Sequence, residues 1–171
     1  MTGRPMESEA AEYCWSYINS VEGEDAVAAL EKQLAEALAL FAGIAEERSL
    51  GRYAAGKWSM REVLSHVSDT ERIFSFRALW FARGLGKELP GFDQDVAAAN
   101  AAGDRLGWAA HVEEFRRVRE GTIALFRSMP EEAWSRSGVA NGNSSSVRAL
   151  AFMAAGHAEH HLRILRERYL G

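Results

Sequence analysis

Periodicity constrains this chain more than any other feature. Apolar residues return every three or four positions over most of its length, the spacing that lines one face of an α-helix. No run alternates apolar and polar residues over the length of a strand. Four long segments carry the pattern. The first spans about residues 24–47, with Val27, Leu30, Leu34, Phe41 and Ile44 on one stripe. The second begins at a capping box, Ser59 followed by Glu62, whose hydroxyl and carboxylate each satisfy a backbone N–H that a first helical turn leaves unpaired. It carries Val63, Val67, Ile73, Phe74, Trp80 and Phe81 and stops at Gly84. The third covers about residues 104–129, with Val112, Phe115, Val118 and Phe126 inward and Pro130 at its end. The fourth follows a polar loop, Ala140–Ser146, takes Ser145 or Ser146 as its N-cap, and runs to about Tyr169. A shorter helix is expected within residues 9–20. The pattern predicts an all-α, four-helix bundle forming one domain over residues 1–171.

Connection lengths suggest the course of the chain. The links between helices one and two and between three and four are short enough for antiparallel neighbours. The link Leu85–Gly103, containing Pro90-Gly91, is longer than most structureless loops, so it either crosses the bundle or has a job of its own, and a crossover there gives an up-down-down-up arrangement.

Composition removes several function classes. With 47% hydrophobic residues in 171, the chain can bury one sizeable core. A net charge of −4 removes the general attraction expected of a nucleic-acid binder. No window approaches the ~18 consecutive apolar residues of a membrane span. The start, MTGRPMESEAAEY, lacks the charge and apolar centre of a secretory signal. Cys14 is the one cysteine, and it can form neither an internal disulfide nor a thiolate cage. A cytoplasmic protein with a small-molecule substrate is the expectation.

The histidines hold the chemistry. His157 and His161 lie one turn apart on the fourth helix, about 40° apart around its axis. Leu150, Ala154 and Ile164 share their face, whereas Glu159, Arg163 and Arg166 lie opposite. His66 sits on the second helix's stripe with Val63, Thr70 and Ile73. Helical rise places His66 ~10 Å from the start of its helix and His161 ~13 Å from the end of its own, so antiparallel packing brings them to similar height. Three inward imidazoles suit a divalent cation, with two ligands from one helix and a third from a facing helix. The alternative is three ordinary core histidines bonded to protein groups.

Other groups have weaker roles. His160 is a fourth ligand or, more simply, a boundary residue, and His111, beside Glu113 and Glu114, is expected at the surface. Asp69 could orient an imidazole or accept a proton as a catalytic base, or be a helix-surface carboxylate. Arg77, deeper on the His66 stripe, could hold an anionic substrate or snorkel at the core edge. The run His157–His161 is not the H-E-x-x-H motif, because Glu159 faces away. No histidine has a glutamate three residues before it, which excludes a di-iron bundle, and no phosphate-binding or dinucleotide loop is present.

Several stretches resemble the DinB superfamily of bacterial proteins: GKWSMREVLSHVSDTERIFSFRALWFARG (Gly56–Gly84), LPGFDQD (Leu89–Asp95), ANG (Ala140–Gly142) and SVRALAFMAAGHAEHHLRILRERYL (Ser146–Leu170). The resemblance implies an up-down-down-up four-helix bundle, often a dimer, with a divalent metal on three histidines, here His66, His157 and His161. It further implies a metal-dependent hydrolase, or a transferase using a low-molecular-weight thiol such as bacillithiol or mycothiol. After LPGFDQD the family pattern calls for a tyrosine, where this chain reads Val96-Ala-Ala-Ala-Asn100, so any pocket contact made there differs. Zinc and nickel both suit such a donor set. The competing reading is non-catalytic: a stress-response bundle with a structural metal, which would need His160 or Asp69 to close the site, or a metal-free dimerising bundle.

Overall fold

The structure is a computed structural model that describes residues 3–171. A short helix, α1 (Trp15–Ile18), precedes the long helices α2 (Ala26–Ala42) and α3 (Met60–Ala82). After a further short helix, α4 (Gln94–Ala101), come α5 (Trp108–Arg127), the hairpin β1 (Ser137–Ala140) and β2 (Asn143–Ser146), and α6 (Val147–Ile164). A π-helical turn, Leu165–Leu170, continues α6. The start signals act as the residues dictate. Asp25 accepts from the N–H groups of Val27 and Ala28, Ser59 and Glu62 close their capping box, and Ser146 accepts from the Ala149 N–H.

Three expectations are corrected. The link Leu85–Gly103 is not structureless, since Asp93 caps the eight residues of α4. The polar loop before the fourth helix is a two-stranded antiparallel hairpin, with Asn141 (φ 53°) and Gly142 (φ 71°) as its two-residue turn. Its strands hold four residues each, mostly small or polar, too little to show an apolar alternation. Leu89 clips the long link to this hairpin, its N–H donating to Val139 O and its carbonyl accepting from Asn141 N–H, both at 3.0 Å. Finally, the pairs expected to be antiparallel neighbours, α2 with α3 and α5 with α6, do not pack on each other. α2 packs on α5 and α6, and so does α3, which puts α2 and α3 at opposite corners.

Side-chain pairs give the relative directions. Arg61–Leu106, Glu71–Arg119 and Ser75–Thr122 advance together along α3 and α5, whereas Phe41–Trp108 and Gln33–Arg119 run oppositely along α2 and α5. Arg61 at the start of α3 meets Glu46 beyond the end of α2. α6 runs against α3, with Tyr169 beside Trp58.

The core is divided. One apolar cluster includes Leu30, Phe74, Ile123 and Ala154, and the other includes Ala37, Val67, Phe115 and Ala158. Between them in register lies a polar layer, Gln33, Glu71 and Arg119. Arg119, fully buried, donates to both Glu71 oxygens at 2.8 Å and to Gln33 Oε1 at 2.7 Å. Gln33 in turn donates to the Ala155 carbonyl at 3.0 Å. At α6 the backbone of Gly156 touches α1 so closely that a Cβ there would meet the Tyr17 carbonyl at 2.1 Å. That contact sets Tyr17 beside the histidines.

Candidate metal centre

α3 and α6 bring His66, His157 and His161 together. His157 Nε2 lies 3.1 Å from His66 Nε2 and 3.2 Å from His161 Nε2. The ring centroids are 4.6–4.9 Å apart. Ligand nitrogens ~2.05 Å from one cation would stand ~2.9 Å apart at right angles and ~3.3 Å apart at the tetrahedral angle, so the observed spacing fits a shared ion.

Electrostatics favours the same state. Burial pushes His66 down to about 4, opposed by the negative charge of Asp95. Burial and the neighbouring imidazoles push His157 to about 3 and His161 to about 2. All three are therefore neutral near pH 7, as a metal-ligating imidazole must be. Thr70 Oγ1 stands 3.5 Å from His66 Nδ1, at the limit of hydrogen bonding.

Aromatic rings pack against two of the three histidines. Trp58 packs on His66 with centroids 4.9 Å apart, Tyr17 lies edge-on to His157 at 5.5 Å, and Phe74 packs on His157 at 6.0 Å. A cleft of about 270 Å³ opens beside Trp58 and Val63, bounded by Asp95, Ile164 and Tyr169.

The remaining candidates lie elsewhere. Asp69 gives its carboxylate to Arg72 at 3.1 Å, a helix-surface pair. Arg77 donates to the Pro90 carbonyl at 3.2 Å, half-buried near Tyr13 and Cys14, and burial lowers its pKa. His160 is edge-on to Tyr17 at 5.6 Å and outside the converging trio. His111, expected at the surface, is buried, with Nε2 2.7 Å from the Gly103 carbonyl. Its helical neighbours Trp108 and Phe115, both buried, were the signal for that, and Glu113 and Glu114 point to other sides. Asp95 and Trp58 went unread as site residues. Asp95 lies in a link whose only helix signal is its capping Asp93, and Trp58 immediately precedes the Ser59–Glu62 capping box.

The sequence profile of the DinB superfamily matches residues 29–165. The chain belongs to the DinB superfamily. Among solved structures it is similar to YfiT from Bacillus subtilis, with a TM-score of 0.70 at 17% identity over 96% of this chain and 90% of that one. YfiT is described as "a probable metal-dependent hydrolase with an unusual four-helix bundle topology". At this identity the likeness establishes the bundle fold. No protein of curated function matches this DinB-superfamily chain in sequence.

Proposed function

We propose that His66, His157 and His161 hold a divalent metal, zinc or nickel, and that the chain is a metal-dependent hydrolase or low-molecular-weight-thiol transferase acting on a small molecule. The observation that carries this reading is the convergence of three neutral imidazole nitrogens from two helices. A divalent ion on three neutral ligands supplies positive charge and an open position for a water, a thiolate or a carbonyl oxygen. The one-turn spacing of His157 and His161 fixes two donors on a rigid element, and His66 completes the set across the α3–α6 contact. Trp58 packs on His66, and Tyr17 and Phe74 pack on His157, which leaves His161 as the partly exposed member of the trio.

A closed structural site needs a fourth protein ligand. Among the described residues the converging set has three members, with Asp69 on Arg72 and His160 against Tyr17, which favours an open, catalytic site. Elemental analysis after purification without metal-binding tags is the test. About one equivalent is expected in the wild type. Near-zero content is expected in His66→Ala, His157→Ala and His161→Ala, and unchanged content in all three variants would end the reading.

We infer in addition that the helices run up, down, down, up, which the side-chain registers of α2, α3, α5 and α6 support. We take residues 1–171 as one cytoplasmic domain working as a homodimer, without nucleic acid as a direct partner, the last supported by the net charge of −4. No helix is long and apolar enough to cross a membrane. Sedimentation equilibrium of the purified chain checks the dimer, and a single monomer mass would remove it.

A further inference from the structure

The cleft beside the trio has a composition that points to a ligand class. Trp58 and the pair Tyr53–Tyr169, edge-on with centroids 5.0 Å apart, make its walls aromatic. The Tyr169 hydroxyl donates to the Trp58 carbonyl at 2.7 Å, so two of these walls brace each other. At about 270 Å³ the cleft is at the small end of ligand pockets, with room for roughly a dozen non-hydrogen atoms. Two charges of opposite sign also line it, Lys57 and Asp95. Among the described residues neither side chain has an ion pair or a side-chain hydrogen bond, since Asp95 uses only its backbone N–H, on Asp93, and Lys57 its backbone groups.

Such walls sort ligands by charge as well as by shape. A flat apolar body lies against the rings. A ligand with one charge meets one attractive and one repulsive group, whereas a ligand with both charges can satisfy both. Trp58 links the cleft to the centre, since its ring is a wall of the cleft and also packs on the His66 imidazole, and Asp95, which lines the cleft, acts electrostatically on His66.

We propose that this cleft seats the substrate, and that the substrate is a zwitterion with a flat, aromatic or similarly apolar body, its cationic group meeting Asp95 and its anionic group meeting Lys57. Only the word substrate rests on the metal-centre reading, and the binding itself does not require the ion.

Three probes share one phenyl ring and one spacer and differ in charge: L-phenylalanine, phenethylamine and 3-phenylpropionate. They are titrated into protein stripped of metal with a chelator, so that no carboxylate can bind an ion. The readout is the indole N–H resonance of Trp58, assigned with Trp58→Phe. L-Phenylalanine is expected to bind about fivefold tighter than either single-charge probe, the size of one exposed charge contact. Lys57→Gln should bring it to the level of phenethylamine, and Asp95→Asn to the level of 3-phenylpropionate. Both substitutions are at exposed positions and leave the core intact. Equal affinities for the three probes, a ranking untouched by both variants, or shifts confined to other tryptophans would overturn the proposal. A protein that holds no metal yet keeps the ranking would refute the metal centre alone. One that holds metal and shows no ranking would refute the zwitterion alone.

Discussion

The Gln33–Glu71–Arg119 layer and the histidine trio are both polar and both sit at mid-bundle, but protein groups complete only the first. Arg119 finds carboxylate oxygens on one side and an amide oxygen on the other, so its guanidinium charge is answered within the chain. The trio turns its Nε2 atoms on one another, and three neutral imidazoles cannot all serve as donor and acceptor in so small a space. A closed network specifies a packing arrangement. On the reading proposed above, an inward-facing set of lone pairs calls for a guest.

The contrast is strongest in stability. Arg119→Ala strands Glu71 in the core and is expected to cost about 3–5 kcal/mol in denaturant unfolding, whereas Glu71→Leu with Arg119→Met should cost far less than the sum of the single changes. A loss under about 1 kcal/mol for Arg119→Ala would mean that the layer is not closed as described.

Acid separates the regions next. The folded-state pKa of each trio histidine lies below the ordinary 6.5, so the unfolded chain binds more protons as pH falls through 6.5. Stability of the metal-free protein should therefore be flat above pH 6.5 and fall below it, to about pH 4 for His66 and lower still for His157 and His161. The slope is at most ~1.4 kcal/mol per pH unit for each histidine. Thermal melts of His157→Leu against the wild type across that range check the sign. A variant with the same acid slope would show that burial of the trio does not govern it.

The smallest effect belongs to the surface. Asp69→Asn removes an exposed pair with Arg72 and should change stability by under ~1 kcal/mol. Metal content should be unaltered. Loss of metal in this variant would return Asp69 to the centre and blur the line between trio and surface.

Much of this site is readable in one dimension, because helical periodicity is local. His157 and His161 share a face whatever surrounds them, and the Ser59–Glu62 box sets where the helix carrying His66 begins. Arg119 shows the opposite case. An arginine among Arg116, Arg117 and Glu120 reads as solvated, and only the facing Glu71 and Gln33 make its burial tolerable. The hairpin and α4 are too short for a period to show. The corner positions of α2 and α3 are not legible in the sequence, because the length of a link limits how far apart two helices can stand and does not oblige them to touch.

From its residues alone the chain determined which faces of its helices are apolar and which imidazoles those faces carry, since each follows from a repeat of 3.6 residues along one element. Tertiary structure alone decided that three of those nitrogens meet within 4.8 Å, that Asp95 and Trp58 stand beside them, and that a buried arginine is neutralised. Distances between elements arise from packing many side chains at once, and no local pattern encodes that sum.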